Sequence, residues 1–312
     1  MRRLALLAIA TALVAAAPAR AADDTVATVS DPTGVDAAGG RLAWSQRDPA
    51  TGRYRLMTRS PAGEISAAAV KERSGPFDVD LGPGPAGGTV AVYSRCSGGC
   101  DLYLYDFAAR TERRLKRPSS ARREVLPAIW RNHVAFVRRM PDRDHLYVQS
   151  LRGGAPHEIR GGRGSYDEID LEGVQVAFVR HRITKGGDGR LYQLLEGSVG
   201  GPVARQLDRT SSGLLSSAAI RKPRLVGGAV VYAVARFGAA GNRFLRLDLA
   251  TGRSRYSTGR RGVLDAAFAA GRFLYLQTTF TEDPTAGCRA GAGDPSTCAL
   301  RLTPPVPFSS NR

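Results

Sequence analysis

Short apolar runs, each with a small or aliphatic residue beside an aromatic or a second aliphatic, recur along this chain. They are Leu42-Ala43-Trp44, Val90-Ala91-Val92-Tyr93, Val134-Ala135-Phe136-Val137, Val176-Ala177-Phe178-Val179, Val230-Val231-Tyr232-Ala233 and Phe273-Leu274-Tyr275-Leu276. Gly- or Asn-bearing turns such as Ala38-Gly39-Gly40 and Arg131-Asn132 precede several of them. A second run follows each: Tyr54-Arg55-Leu56-Met57, Leu102-Tyr103-Leu104-Tyr105, Leu146-Tyr147-Val148, Leu191-Tyr192-Gln193-Leu194, Phe244-Leu245-Arg246-Leu247 and Leu300-Arg301-Leu302. Its β-branched and aromatic content or its alternation suits half-buried strands. From Ala43 through Ala91, Ala135, Ala177 and Val231 to Leu274 the spacings are 48, 44, 42, 54 and 43, the period of a four-stranded propeller blade. The pattern predicts an all-β chain, a six-bladed β-propeller of four-stranded blades with strands A to D from the axis outward.

Strand A is expected at Phe77 to Leu81, Val125 to Ile129, Tyr166 to Leu171 and Leu264 to Phe268. The sixth repeat stops after its C strand, because Pro304-Pro305-Val306-Pro307 cannot donate a continuous ladder. Its fourth strand has to come from elsewhere. Asp24-Thr25-Val26-Ala27-Thr28-Val29 is β-prone and precedes the first repeat at the right distance, so the N-terminal strand is predicted to close the ring and remove two edges.

Ahead of that strand, Met1-Arg2-Arg3, the apolar stretch Leu4 to Ala17 and Pro18-Ala19-Arg20-Ala21 read as a secretory signal cut after Ala21. Residues 22–312 then form one propeller domain, exported to the cell envelope or beyond, with no transmembrane segment after signal cleavage. Loss of Arg2, Arg3 and Arg20 lowers the formal charge from +17 to +14. In an exported chain, cysteines are expected to be oxidised. Local pairing, Cys96 with Cys100 and Cys288 with Cys298, is favoured by loop closure. Zinc is disfavoured because there is no Cys-x-x-Cys and the four histidines cluster in the third and fourth repeats.

Charge falls in two places. The D–A connections collect cations: Lys71 and Arg73; Lys116, Arg117, Arg122 and Arg123; Arg160 and Arg163; Arg221, Lys222 and Arg224; Arg260 and Arg261. Of these, Arg117, Arg122, Arg123, Arg260 and Arg261 are the candidate ligand-binding set on the long-loop face, for an acidic protein or an anionic envelope polymer. In or beside strand A, by contrast, stand Asp36, Asp80, Asp170 and Asp265. They are candidates for an axial calcium site or, more simply, acceptors for backbone amides.

Catalytic signatures are sparse. Gly82-Pro83-Gly84-Pro85-Ala86-Gly87 matches a dinucleotide fingerprint by letters only, since its prolines remove amide donors and a strand follows. No serine-hydrolase elbow, zincin helix or Walker loop occurs. His181, in the loop Arg180-His181-Arg182, could act as a base or, more simply, is an exposed loop histidine. The aromatics fall on strand positions, so base stacking and nucleic-acid binding are not indicated.

The third repeat, Leu126-Pro127-Ala128-Ile129-Trp130-Arg131-Asn132-His133-Val134-Ala135-Phe136-Val137 with Asp144-His145-Leu146-Tyr147-Val148, resembles the repeat of the TolB-type, WD-like propeller family, and the second repeat is similar. The family's Ser-Pro-Asp-Gly turn is absent, and there is no room for the α/β domain that precedes the propeller in TolB. The resemblance implies an exported propeller that binds partners in the envelope. The leading expectation is therefore a binding or scaffold propeller; the alternative is a glycan-acting hydrolase or lyase with a cation at the axial mouth.

Overall fold

A computed structural model describes residues 22–161, 164–201, 204–212, 217–237, 242–260, 262–278, 288 and 298–310. Residues 1–21, the stretch expected to be a signal, and Arg163 and Arg261 lie outside the described residues. All regular structure described is β, and no described helix is long and apolar enough to cross a membrane.

Antiparallel meanders of four strands repeat along the chain. The first is β2 (Val35–Ala38), β3 (Arg41–Arg47), β4 (Tyr54–Arg59) and β5 (Ile65–Ala67). Next come β6 (Asp80–Pro83), β7 (Thr89–Cys96), β8 (Cys100–Asp106) and β9 (Thr111–Arg114), then β10 (Arg123–Trp130), β11 (His133–Arg139), β12 (Asp144–Ser150) and β13 (His157–Ile159). These are followed by β14 (Ser165–Glu172), β15 (Gln175–Ile183), β16 (Arg190–Ser198) and β17 (Arg205–Ser212), and by β18 (Ser217–Val226), β19 (Ala229–Phe237), β20 (Arg243–Asp248) and β21 (Ser254–Thr258). The last comprises β22 (Val263–Ala269), β23 (Arg272–Thr278) and β24 (Cys298–Leu302), with β1 (Asp24–Val29) as its outermost strand.

Hydrogen bonding gives four free-standing blade-sized sheets rather than the six expected; the remaining eight strands, β6 to β13, form one sheet. The cause is local: Arg123 at the start of β10 forms a parallel bridge with Cys100 at the start of β8. One of the four blade-sized sheets also gains a fifth strand, β25 (Ser309–Ser310), which pairs along the outer edge of β21. The sequence pattern did not predict this edge cover.

Burial follows position in the meander. The second strands are buried on both faces, as in Leu42, Ala43, Trp44 and Ser45 of β3, because sheets pack against them from both sides. Third strands alternate, and the outer strand β5 is exposed throughout. The apolar clusters lie between consecutive meanders, for example Val90, Val92, Ile129 and Phe136, or Ala177, Leu194, Leu225 and Tyr232. A further cluster, Val29, Val35, Trp44, Leu274 and Leu300, joins the last meander to the first. Close inner approach needs glycine at Gly82, where a Cβ would stand 2.1 Å from the Ile129 carbonyl oxygen.

The ring closes as expected. β1 runs antiparallel to β24 from Asp24 opposite Leu302 to Val29 opposite Cys298. Asp23 ties this strand down, accepting from Arg260 at 2.5 and 2.8 Å and from the Tyr275 hydroxyl at 2.5 Å. Asp24 pairs with Arg272 at 2.8 Å. Both disulfides are local, with sulfur separations of 2.05 Å for Cys96–Cys100 and 2.01 Å for Cys288–Cys298.

Candidate functional site

The inner strands do not enter the axis as regular ladders. Register shifts interrupt β10 between Val125 and Ala128, β14 between Tyr166 and Glu168, β18 between Arg221 and Arg224, and β22 between Val263 and Asp265. A bulge re-aims the side chains it carries. Here the bulges deliver Leu126, Pro127, Asp167 and Lys222 into one axial cavity of about 240 Å³, beside Phe77, Asp78, Asp80, Glu168 and Asp265. The cavity opens where the inner strands begin, which is also the end that carries the Cys96–Cys100 hairpin.

The four aspartates of the sequence reading meet here in a repeating role. Each accepts a backbone N–H from the innermost strand of the following meander: Asp36 from Leu81, Asp80 from Ile129 at 2.8 Å, Asp170 from Leu225 at 2.5 Å and Asp265 from Val35 at 2.9 Å. Three of them also surround one cation. Arg224 Nη1 stands 3.5 Å from Asp36, 3.1 Å from Asp80 and 2.9 Å from Asp170, and Nη2 donates to the Leu81 carbonyl at 2.6 Å. The donor set does not fit calcium, because the protein's own amides and guanidinium occupy the carboxylates. Among the described residues no group of three or more His, Cys, Asp or Glu is arranged to hold a metal ion.

Arg224 is therefore a correction to the sequence reading. It was expected in a loop with Arg221 and Lys222, but all three belong to inner strand β18. Arg224 stands opposite Val231, in the register that places Asp36 opposite Ala43 and Asp170 opposite Ala177. The signal that could have found it is the repeat itself, with one sign of charge exchanged for the other. Burial works against its charge, yet Asp170, Asp36 and Asp80 more than offset this and hold its pKa above the ordinary value. Lys222 behaves alike: burial opposes its charge, and Asp36, Asp265, Glu168 and Asp80 restore it. Glu168 lines the cavity with no hydrogen-bond partner among the described residues, and burial, with Asp265 adding repulsion, pushes its pKa up to about 8.

The expected basic face is divided. Arg260 is bound to Asp23 and Arg73 lies 3.8 Å from Asp78, so neither is free. Arg261 lies outside the described residues. Arg117 and Arg122 remain exposed on the segment joining β9 to β10, and Arg123 is exposed at the first position of β10; with Arg113 and Arg114 at the end of β9 and Lys116 they make a basic strap over residues 113–123. Arg260 follows β21, on the far side of the ring in chain order, so it does not join them.

The strap is pinned by its other residues. Leu115 is buried and donates its N–H to the Leu102 carbonyl at 2.8 Å, while the Leu102 N–H donates to Ser119 Oγ at 3.0 Å. Buried Glu124 accepts from Ser120 Oγ at 2.6 Å and from Arg138 at 2.8 Å. Arg114 pairs with Asp101 at 2.7 Å. Among the described residues Arg113, Lys116, Arg117, Arg122 and Arg123 have no carboxylate within ion-pair distance. Arg113, Arg114, Lys116 and Arg117 edge a cleft of about 370 Å³ that reaches Ser150 and Leu151 of the next meander.

These features define a β-propeller with an acidic, internally neutralised axis and a basic strap on its surface. No protein-family model matches the chain, and none of the curated proteins matches it. Among solved structures it is similar to TolB from Acinetobacter baumannii, with a TM-score of 0.55 at 16% identity over 84% of this chain and 63% of that one. It spans less than two thirds of that protein's length. It is also similar to a chain of a mitotic checkpoint complex, with a TM-score of 0.51 at 12% identity, covering 90% of this chain and 82% of the other. Identities this low establish the fold alone: a TolB-like β-propeller.

Proposed function

We propose that the chain is an exported binding propeller that holds an anionic envelope polymer along the strap between β9 and β10. One observation carries this reading: five cations with no carboxylate partner among the described residues, Arg113, Lys116, Arg117, Arg122 and Arg123, stand on a strap whose backbone is fixed by buried Leu115 and Glu124. Cations held in place lose little freedom on binding. A polymer is favoured over an acidic protein because residues 111–123 contain no aromatic, the usual anchor of a protein interface. In this reading the eight-stranded sheet serves as two blades, making six, and export follows cleavage after Ala21. Sequencing of the mature N-terminus should then begin at Ala22.

Sedimentation of the mature protein with poly(glycerol phosphate) tests the binding. The wild type should co-sediment at low salt, and a variant with all five cations changed to Glu should remain in solution. Equal binding by both would refute the assignment. Retention on polyglutamate alone would move it to an acidic protein.

A second reading, a glycan-acting hydrolase or lyase at the axial mouth, is favoured by Glu168. An unpartnered cavity carboxyl with its pKa pushed up to about 8 holds its proton at neutral pH and suits a general acid. Lys222 and Arg224 would supply the positive charge there. Loss of glycan cleavage in Glu168→Gln, with the fold retained, would support it; no cleavage by the wild type across envelope glycans would sink it.

A further inference from the structure

Between the third and fourth meanders lies a second, larger cleft of about 650 Å³, independent of the strap. Met140, Pro141 and Ile183 give it apolar walls, and Ile183 is 58% exposed. Arg143 and Arg182 line the same cleft with Asp142 and Asp144, and Arg143 lies 3.7 Å from Asp142. His181 and Ser165 line it together.

His181 is not the loop residue that its sequence suggested. It lies within β15, its side chain is 17% exposed, and its ring packs on Tyr192 with centroids 5.6 Å apart. Nδ1 lies 2.9 and 2.7 Å from the two carboxylate oxygens of Asp167. In the neutral ring that contact places the proton on Nδ1, where it is donated to the carboxylate, and leaves Nε2 as the basic atom. Asp167 itself is held in the β14 bulge, where strand regularity is broken next to Tyr166.

Ser165 is the direct cross-strand partner of His181. Directly opposed residues project to the same side of a sheet with Cβ atoms about 5 Å apart, a separation that a serine hydroxyl and an imidazole can bridge. Ser165 is exposed, and its hydroxyl has no hydrogen-bond partner among the described residues, His181 included, so it is free to turn toward the imidazole. The residue before it fixes this placement. Gly164 has φ of +146°, and a Cβ there would lie 2.7 Å from the His181 carbonyl oxygen. Only glycine brings the chain that close, so the serine is seated against the histidine strand by backbone geometry.

The geometry points to an acyl-transfer centre in this cleft, with Ser165 as nucleophile, His181 as general base, Asp167 as the residue that positions the imidazole, and a carboxylic ester of an apolar acyl group as substrate. A nucleophile, a base and a carboxylate that orients the base form the arrangement needed, whatever their order in the chain. Ser165 Oγ bonds to the acyl carbon while its proton passes to His181 Nε2. The ester C–O bond then breaks, and that proton goes to the departing alkoxide. Water next attacks the acyl-serine, gives a proton to Nε2, and the free acid leaves as Ser165 Oγ regains the proton. In this assignment Arg182 is the cation that meets negative charge on the carbonyl oxygen, Arg143 being engaged by Asp142, and the acyl chain lies along Met140, Pro141 and Ile183.

The mature protein is treated with a fluorophosphonate probe and its peptides are mapped, with p-nitrophenyl butyrate hydrolysis followed in parallel. The expected result is a single labelled peptide containing Ser165, absent in Ser165→Ala, with labelling slowed by at least about 100-fold in His181→Asn, the usual worth of a general base. Asp167→Asn, which leaves the base in place but no longer holds its tautomer, should slow labelling without abolishing it. Ser165→Ala changes an exposed side chain, so unchanged melting of that variant confirms that the loss is chemical. No labelling of the folded wild type, labelling elsewhere, or a rate indifferent to His181→Asn would overturn the assignment.

Discussion

Arg224 at the axis and Arg117 on the strap carry the same guanidinium in opposite circumstances. Arg224 is 12% exposed, touches three carboxylates and a carbonyl, and ties β18 to strands from three other meanders. Arg117 is exposed, has no carboxylate partner among the described residues, and lies over Gly153 in the turn between β12 and β13. A buried charge is tolerated only when its partners are already in place, so the axial cation is committed to the fold. An exposed cation costs the fold little and remains available to a ligand. The same residue type in one basic chain thus serves two ends, and its position in the repeat decides which.

The comparison can be broken most severely by opening the ring. Deleting residues 22–30 removes β1, its ion pairs to Arg260 and Arg272, and the cover of the β24 edge. The expected outcome is loss of the monomer to aggregation, read by light scattering. A monomeric truncation with unchanged melting would show that closure does not hold the ring. Next in size is Arg224→Met, which leaves Asp36, Asp80 and Asp170 facing one another without their cation. A loss of about 3–5 kcal/mol is expected by denaturant titration, the usual cost of removing one partner of a buried ion pair. A loss below about 1 kcal/mol would mean that the axial cation is dispensable.

Glu168 sharpens the account of the axis through pH. Its pKa is raised from 4.5 to about 8 by burial and by Asp265, so the folded state holds a proton that the unfolded state has released across that interval. Folding stability contributed by this group falls as pH rises from about 4.5 to about 8. The Glu168→Gln variant should lack that part of the decline, so the stability difference between the two proteins widens across the interval and is constant above it. Parallel stability curves would remove Glu168 from the buried network. Smallest is the effect of the strap on folding: changing Arg113, Lys116, Arg117, Arg122 and Arg123 to Glu should shift stability by under about 1 kcal/mol, because no native ion pair is lost.

Periodicity carried the all-β propeller arrangement, the closing strand Asp24–Val29 and both disulfides, because each depends on spacing along the chain. The four inner aspartates were legible as residues that converge, but the cation that three of them share was not. Arg221-Lys222-Pro223-Arg224 reads as a polar connection until the ladder pairs Arg224 with Val231. Bulges explain much of the remainder. One extra residue at Tyr166–Glu168 turns Asp167 toward His181, and no alternation rule applied to Ser165-Tyr166-Asp167-Glu168 foresees that contact. Of the basic set, Arg117, Arg122 and Arg123 are exposed, whereas Arg260 is held by a residue far away in sequence, Asp23, a pairing that no local pattern foresees.

The slope of binding against salt tests the central claim most directly, because it counts the cations that meet the polymer. With poly(glycerol phosphate) as the probe, log K should fall linearly with log salt for the wild type. Neutralising Arg113, Lys116, Arg117, Arg122 and Arg123 to Gln should flatten that line by about one unit for each cation engaged. A variant with the same slope and the same affinity as the wild type would contradict the account.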